Sequence, residues 1–369
     1  MKILFVAHRD ITNPRSGGAE SYSQTFLEYL SSCGHNIDIV TSRVEGQSKY
    51  QVIRNMNFFR FKGYLGPHLA LPFIALSKKY DIIISDLGHV VPWPILILKK
   101  SILINIFHHL HKRTLSGQVG KVTRKFLTIT EEFYSILYRN SFFVTVSTTS
   151  MNDLLKLGIN IDRIKLIKPG VDLKFFIPGK KTETPQMIYF SGLREYKRPY
   201  FAIIVLKTLL SKYCELNLVI TGEGPCLSRI KNLVKELNLE KNVKFTGKLQ
   251  KEQLSKLISE SYVNLQFSIA EGFGITAIEA SACGTPTVAF KTTGVVDAIE
   301  DGQNGFLVEN EDINEFVNKV DHILQTYANW SENCLNIARN FSNEIEGHSW
   351  LKLIEAIATQ NSKISMKVS

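Results

Sequence analysis

The sequence lacks the features that mark disulfide-rich, zinc-binding and membrane-spanning proteins. Its 369 residues contain five cysteines, which are odd in number, scattered and free of any Cys-x-x-Cys pair. This pattern argues against a disulfide framework and against a zinc site. No N-terminal signal is evident, because the apolar run ILFVA is short and Arg9 and Asp10 follow it at once. No uninterrupted run reaches the ~18 apolar residues of a membrane span. We therefore expect a protein of the reducing cytoplasm.

Acidic charge is also scarce, with 34 Asp and Glu against 44 Lys and Arg, and the net charge is +10. Such a balance attracts polyanions. Nucleic acid is not expected as a partner, because zinc-finger spacings, an aromatic-and-Gly RNA-binding motif and a dense basic tail are all missing. A peripheral anionic surface on the inner face of a membrane is the predicted partner, and the alternative is a solvated helix face. The candidate docking residues are Lys112, Arg113, Lys121, Arg124, Lys125, Phe126 and Leu127.

Short β-branched or apolar runs alternate with helical patterns along the whole chain. This alternation is typical of βαβ units and parallel sheets. A first series of strands runs from KILFVAH to RIKLIKPGVD, and a second begins at MIYFSG, residues 187–192. The stretch between them, FFIPGKKTETPQ at 175–186, has the composition of a linker. The predicted fold is α/β, with two doubly wound Rossmann-like domains that face each other across a cleft.

The predicted domains are residues 1–178 and 179–345. Residues 346–369 are expected to form a C-terminal helix that returns to the first domain and ends in a tail. In such sheets ligands bind beyond the carboxyl ends of the strands. Loops that follow strands are therefore the places to search for a site.

The most informative stretch is EGFGITAIEASACGTP at 271–286. If a helix begins near Phe273 to Ile275, Glu279 lies in its early turns and Glu271 stays in the loop before it. The free N–H groups at a helix start form an anion site. The spacing then suits a diphosphate between two hydroxyl-bearing groups, as in a nucleotide sugar. The alternative is an ordinary packed helix, in which the two acids would lie ~12 Å and ~80° apart and share no site.

Together with ACGTPTVAF (282–290) and DGQNGFLV (301–308), this stretch resembles the donor-site signature of retaining glycosyltransferases of family 4, which have the GT-B fold. The likeness covers nearly the whole chain. It implies that the first domain binds the acceptor and the second the donor. It also implies that Glu271 lies by the transferred sugar and that Glu279 binds the ribose hydroxyls. The diphosphate would be held by the amides of Gly272, Phe273, Gly274, Ile275 and Thr276.

Two further loops match donor-phosphate motifs of that family. In SGGAES (16–21), Gly17 and Gly18 follow the first strand and precede a helix, and a tight turn is the alternative. In SGLREYKRP (191–199), Lys197 matches the family lysine, but Gly192 stands where the family has arginine, so Arg194 is the candidate replacement. Because the chain has no Asp-x-Asp motif, no metal is expected, and cations and amides must stabilise the leaving diphosphate.

FHHLHKR (107–113) closes an apolar strand of the first domain. The resemblance implies that His108 reaches the transferred sugar, with His109 and His111 less suited. A metal cluster and a purely structural histidine are the alternatives. The fragment ITGEGP (220–225) lacks the third glycine of a dinucleotide fingerprint and is not assigned to a site.

The resemblance implies a metal-independent hexosyltransferase that uses a nucleotide sugar such as UDP- or GDP-hexose and no cofactor. A lipid-linked saccharide or another glycan is the expected acceptor, and a soluble sugar or sugar phosphate is the runner-up. A GT-B nucleotide-sugar epimerase and a binding protein that has lost turnover are the remaining alternatives.

Overall fold

The computed structural model describes residues 1–14, 16–88, 93, 101–111 and 120–368. The chain divides into two units, each described by itself. Unit 1 contains Met1–Gly170 and Asn343–Ser369, and unit 2 contains Val171–Ser342. The domain boundaries expected from the sequence differ from these. The boundary after residue 178 falls inside unit 2, and the boundary after residue 345 falls inside unit 1. The predicted linker 175–186 packs on unit 2, because Thr182 N donates to Glu260 O (3.1 Å) and Lys181 Nζ to Thr285 Oγ1 (2.8 Å).

Unit 1 is built on an eight-stranded sheet with helices between its strands. The strands are β1 Lys2–Val6, β2 Asn36–Arg43, β3 Tyr50–Ile53, β4 Met56–Lys62, β5 Ile82–Asp86, β6 Ile102–Phe107, β7 Phe142–Thr145 and β8 Ile164–Leu166. The helices are α1 Gly18–Ser32, α2 Gly66–Ser77, α3 Lys121–Glu132, α4 Tyr134–Leu137, α5 Thr148–Lys156 and, from the chain end, α12 Asn343–Val368. The spatial order is β3-β4-β2-β1-β5-β6-β7-β8, and only the β3–β4 pair is antiparallel.

The β3–β4 hairpin is the part of this sheet that the sequence did not predict. Along β4, Met56, Phe58 and Arg60 point into the unit and are buried. Arg60 interrupts the apolar alternation, which hides the strand pattern. Its charge is compensated by Asp10, since Nε lies 2.7 Å from Oδ2 in a buried ion pair. A buried charge with such a partner is tolerated in a core, whereas an isolated one would not be.

Helix α12 packs on α1 within unit 1. Trp350 stacks on Phe26 at 4.1 Å between ring centroids, and its Nε1 donates to the Tyr22 hydroxyl at 3.0 Å. The spacing of Tyr22 and Phe26, four residues apart in the sequence, predicts an apolar face on the helix after Gly18. The structure confirms this prediction, because both side chains are buried on α1. Gly347 allows the close approach, since a Cβ built there would lie 2.2 Å from Tyr29 Cγ.

Unit 2 is built on a six-stranded parallel sheet. The strands are β9 Gln186–Phe190, β10 Asn217–Thr221, β11 Val243–Gly247, β12 Val263–Gln266, β13 Thr287–Phe290 and β14 Gly305–Val308. The helices are α6 Tyr200–Leu209, α7 Leu227–Glu236, α8 Lys251–Glu260, α9 Ile275–Ala282, α10 Ile313–Thr326 and α11 Ser331–Ala338. The spatial order is β11-β10-β9-β12-β13-β14.

The strand orders place a switch point in each sheet. In unit 2 the chain proceeds outward from β9 on one side and from β12 on the other, and in unit 1 the corresponding pair is β1 and β5. Ligands of open α/β sheets bind at the carboxyl ends of such strands. The loops that follow these four strands are therefore the structural candidates for a site. Among the helices that the structure describes, none is both long and apolar enough to cross a bilayer.

Candidate functional site

Glu271 lies in the loop after β12, at the switch point of unit 2. Three donors meet its Oε1: Ser268 Oγ at 2.6 Å, Gln266 Nε2 at 3.3 Å, and the Lys197 ammonium in direct contact. Within the described residues, no donor reaches Oε2. The carboxylate is thus fixed through one oxygen, and the other keeps its lone pairs for a ligand.

Lys197 comes from the loop after β9, the neighbouring strand. Burial lowers the pKa of Lys197, but the Glu271 carboxylate outweighs this effect, and the net pKa shift is upward. The ammonium is therefore charged at neutral pH. The sequence assigned these two residues to different parts of one ligand, and the structure brings their side chains together.

Arg194 lies three residues before Lys197 and is exposed. A Cβ built on Gly192 would lie 3.9 Å from Arg194 Nε. The arginine side chain therefore passes over the position from which the family arginine would extend. Nearby positive charge from Arg194 also acts to lower the pKa of Lys197, so the two cations are close.

The loop that carries these cations is packed against the glycines of ITGEGP. A Cβ on Gly222 would lie 2.0 Å from Ser191 O, and one on Gly224 would lie 2.3 Å from Leu193 O. Both glycines have positive φ, at 121° and 159°. They serve the close contact of two loops at the carboxyl ends of β9 and β10. The sequence did not predict a role for this motif, because its partner loop lies about thirty residues away along the chain.

Helix α9 begins at Ile275, within the predicted range. Gly274 at the N-cap has φ 93°, a left-handed conformation that disfavours other residues. The first-turn N–H groups, including those of Ile275 and Thr276, have no acceptor inside the helix by its geometry. The Phe273 side chain is buried and packs against Phe341 at 5.6 Å, so only its backbone could contact a ligand.

The segment that follows β13 contacts the backbone of the loop that carries Glu271. Glu271 N donates to Thr293 O at 3.0 Å. A Cβ on Gly294 would lie 2.5 Å from Glu271 O and 2.7 Å from Gly272 C, and the φ of Gly294 is 82°. The sequence did not predict this support, nor the contacts that Ser268 and Gln266 make with Glu271.

Glu279 lies on α9 and is half-buried. Burial raises the pKa of Glu279 to about 7, against a smaller lowering by the positive charge of Lys251. Among the described residues no donor bonds to its carboxyl group, so its hydrogen-bonding capacity is available to a ligand.

In unit 1, His108 follows β6 and faces Asp86 at the end of β5, with Nε2 3.1 Å from Oδ1. Burial lowers the pKa of His108, but the charge of Asp86, its hydrogen bond and the charge of Glu20 raise it more. The net pKa shift is upward, so the imidazole is more readily protonated than a free one. Asp86 Oδ1 also accepts from Gly88 N at 2.6 Å.

The predicted Gly17–Gly18 loop is held by Glu20. Glu20 Oε2 accepts from Gly17 N, and its Oε1 accepts from Arg9 Nε, both at 2.7 Å. Both glycines are exposed. Because the Glu20 charge also acts on His108, the loop and the histidine lie in the same part of unit 1.

The other two histidines of FHHLHKR contact each other, with ring centroids 5.0 Å apart, and His111 has further partners. His111 Nδ1 lies 3.0 Å from Glu131 Oε1, and His111 Nε2 lies 3.0 Å from Gly88 O. In the described residues, no three His, Cys, Asp or Glu side chains are placed to hold a metal ion. The predicted docking residues Lys112 and Arg113 lie outside the described part of the chain.

Two family models match the chain in succession. The model for Glycosyltransferase Family 4 matches residues 16–175, and that for Glycosyl transferases group 1 matches 171–341. Their junction coincides with the boundary between the two units. The chain belongs to the group 1 glycosyltransferases with a family 4 N-terminal domain, and its fold is GT-B.

Solved structures agree with this fold. Sucrose-phosphate synthase from Thermosynechococcus elongatus superposes with a TM-score of 0.84 at 20% identity, over 97% of this chain and 99% of that one. Anabaena HepE in complex with UDP-glucose gives 0.75 at 19% identity, over 96% and 100%. The D-inositol 3-phosphate glycosyltransferase of Acidothermus cellulolyticus is 28% identical over 49% of this chain. That match spans 45% of the relative's length.

Proposed function

We propose that this protein is a retaining, metal-independent glycosyltransferase that moves a hexose from a nucleotide sugar to a saccharide acceptor. The observation that carries the proposal is the arrangement around Glu271. One carboxylate oxygen is fixed by three donors, no donor among the described residues reaches the other, and helix α9 begins four residues later at Ile275. In this proposal Glu271 Oε2 accepts hydroxyl hydrogen bonds from the transferred sugar, and the negative charge stabilises the oxocarbenium-like transition state.

The diphosphate is assigned to Lys197, Arg194 and the backbone N–H groups that lead into α9, from Gly272 to Thr276. These groups supply positive charge and donors where the leaving group gains negative charge. Donor binding changes the role of Lys197, because its ammonium can then be shared between Glu271 and the phosphate oxygens. Glu279 is assigned to the ribose hydroxyls, because it lies on α9 and no donor in the described part of the chain bonds to its carboxyl group.

His108 in unit 1 is assigned to a hydroxyl of the transferred sugar. Its pairing with Asp86 favours the cationic imidazole, which is a hydrogen-bond donor. Gly17 and Gly18 are assigned to the donor phosphate, because their loop follows β1 and lies near His108. These roles come from the family resemblance, and the contacts within each unit support them.

The donor is proposed to be a UDP- or GDP-hexose, and UDP-glucose is the first to test because HepE is described in complex with it. The preferred acceptor is a lipid-linked saccharide or glycan at the inner face of the membrane. A soluble sugar or sugar phosphate is the second candidate, because the similar proteins include a sucrose-phosphate synthase and an inositol 3-phosphate glycosyltransferase.

Thermal unfolding in the presence of single nucleotide sugars tests the donor assignment. A ligand at 100 times its Kd stabilises the folded state by about 2.7 kcal/mol, so the true donor raises Tm. Mixtures with candidate acceptors then identify the transferred sugar and the anomeric configuration by NMR. A protein that no nucleotide sugar stabilises would refute the assignment. An isomerised sugar that forms without any acceptor would instead indicate an epimerase.

Two substitutions test the cations. Lys197→Ala should lower turnover at least tenfold, because it removes a charge-assisted contact to the diphosphate. Arg194→Ala should lower turnover by a similar factor if Arg194 has replaced the family arginine. Lys291→Ala is the matched control, since Lys291 is an exposed cation of unit 2 paired with Glu309. Full activity of the double variant Lys197→Ala/Arg194→Ala at saturating donor would rule out this loop as the diphosphate site.

A further inference from the structure

Helix α2 of unit 1 is apolar on two opposite sides. Its twelve residues include no Asp, Glu, Lys or Arg. One side packs on the unit, where Pro67 and Leu71 are buried. The other side is exposed, and its side chains, with their exposed fractions, are Leu65 (62%, at the N-cap), Leu69 (71%), Phe73 (76%) and Leu76 (67%).

These four side chains form a continuous stripe, which is called the α2 stripe below. At ~100° per residue they fall within an arc of about 80°, and Leu71 lies on the opposite side of the helix. The stripe extends over ~16 Å, from a rise of ~1.5 Å per residue. Tyr64, immediately before it, is also exposed. Single exposed apolar residues are normal on a protein surface, but a contiguous apolar patch marks an interaction site.

The charge of the molecule indicates what covers the stripe. Unit 1 contains 25 Lys and Arg against 14 Asp and Glu, and unit 2 contains 19 against 20. The whole positive excess thus lies in the unit that carries the α2 stripe. Lys62 and Lys79 are exposed just before and after the helix. Lys78 beside them pairs with Asp38 at 2.9 Å and is already compensated.

An apolar stripe without charges, flanked by lysines on a strongly basic unit, is complementary to an anionic bilayer surface. Acyl chains accept the apolar side chains, and anionic headgroups attract the basic residues around them. We propose that the α2 stripe inserts into the interfacial layer of an anionic membrane and docks unit 1 there. The docking does not require the enzymatic activity. Its use, to hold the enzyme near a lipid-linked acceptor, rests on the proposed function.

The test is co-sedimentation of the full chain with vesicles. One set contains phosphatidylglycerol and phosphatidylcholine, the other phosphatidylcholine alone, at low and at physiological salt. The wild type should bind the anionic vesicles at least tenfold more strongly, and salt should weaken the binding. The variant Leu69→Ser/Phe73→Ser should lower the partition coefficient at least tenfold.

The matched control is Val52→Ser/Ile161→Ser, which removes two other exposed apolar side chains of unit 1. It should bind vesicles within twofold of the wild type. The thermal unfolding of both variants, and their stabilisation by the donor, should be unchanged, because all four side chains are exposed and none of them is assigned to donor binding. If no nucleotide sugar stabilises the wild type, that result counts against the proposed function, and the docking test remains valid.

Three outcomes would overturn the docking proposal. The wild type could ignore anionic vesicles at low salt, or Leu69→Ser/Phe73→Ser could bind them as the wild type does. The third outcome would come from sedimentation velocity in the absence of lipid. A wild-type dimer that Leu69→Ser/Phe73→Ser converts to a monomer would show that a second copy of the chain covers the stripe.

Discussion

Glu271 in unit 2 and His108 in unit 1 both follow a parallel strand of a doubly wound sheet, but the two units fix them differently. Glu271 receives three donors on one oxygen, one of them a cation. His108 faces a carboxylate through one nitrogen, and a second carboxylate adds to the field. The first arrangement surrounds a carboxylate with hydrogen-bond donors, and the second raises the pKa of an imidazole and so favours its cation. One sheet architecture therefore supports opposite charges at its strand ends, and the choice is made by the neighbouring loops.

The units also differ in their surfaces. Unit 1 has an excess of basic residues and an exposed apolar helix face, whereas the charges of unit 2 nearly balance. A balanced surface with directional groups in one loop cluster suits a small ligand that is recognised by hydrogen bonds. A basic surface with an apolar stripe suits a large anionic partner. The following predictions test this division, from the largest expected effect to the smallest.

Glu271→Gln should lower kcat by about 10²–10³-fold, because it removes the charge assigned to the transition state. Donor affinity, measured by thermal stabilisation, should change much less. Glu309→Gln, an exposed acid of unit 2 paired with Lys291, is the control and should retain wild-type kcat. A kcat of Glu271→Gln within threefold of the wild type would show that the Glu271 charge has no role in the reaction. The role assigned to this loop of unit 2 would then be wrong.

Gly347→Ala should destabilise the α1–α12 contact of unit 1, because the new methyl group would meet the Tyr29 ring. Overpacking of this kind costs about 1–3 kcal/mol of unfolding free energy. Gly120→Ala is the control, since a Cβ there meets nothing within 4 Å and the φ of −62° suits alanine. Differential scanning calorimetry should show a lower Tm for the first variant alone. Equal Tm values would mean that the α1–α12 contact accommodates the added methyl group without loss of stability.

Glu279→Gln should change the pH dependence of stability. The folded-state pKa of about 7 lies above the ordinary value of 4.5, so the stabilising contribution is fully present below pH ~4.5 and is lost as pH rises through 7. The glutamine variant should match the wild type near pH 4 and be more stable at pH 8. It should also bind the donor more weakly, by about 1.5–3 kcal/mol, if the carboxylate accepts ribose hydroxyls. Thermal melts with and without donor measure both effects. Unchanged donor affinity would contradict the ribose assignment.

Asp86→Asn should shift the titration of His108 to lower pH. Asp86 raises the pKa of His108 against the lowering effect of burial, so without the carboxylate burial dominates. The shift can be followed by NMR of the His108 ring and by the pH profile of kcat. Asp162→Asn is a control at an exposed acid of the same unit. If the pKa of His108 does not change, Asp86 does not determine the charge of the imidazole. The comparison between His108 and Glu271 would then be wrong.

Chelation should leave turnover within twofold. The sequence contains no Asp-x-Asp motif, and Lys197, Arg194 and the α9 amides are assigned to the diphosphate in its place. The measurement is the initial rate after EDTA treatment and after addition of Mn²⁺ or Mg²⁺. Activity that is lost and then restored by either ion would overturn the metal-independent mechanism.

The sequence was sufficient for the parts of the molecule that depend on local pattern. The parallel strands from KILFVAH onward, the apolar face of α1 and the start of α9 at Ile275 all follow from periodicity and glycine placement, and the structure confirms them. The family likewise followed from short local motifs, above all the stretch at 271–286. The hairpin of β3 and β4 did not, because the buried Arg60 breaks the apolar alternation and its partner Asp10 is fifty residues away.

Only the tertiary structure decided which residues that are far apart in the sequence contact one another. The Lys197–Glu271 contact joins loops from two neighbouring strands, and Asp86 meets His108 across the edge of the other sheet. The glycines of ITGEGP acquired their role in the same way. Local propensity fixes which segments form strands and helices, whereas the order of strands in a sheet fixes which loops meet. Charge and pKa at a site depend on that order, because electrostatic interactions act over a few ångströms in space regardless of separation along the chain.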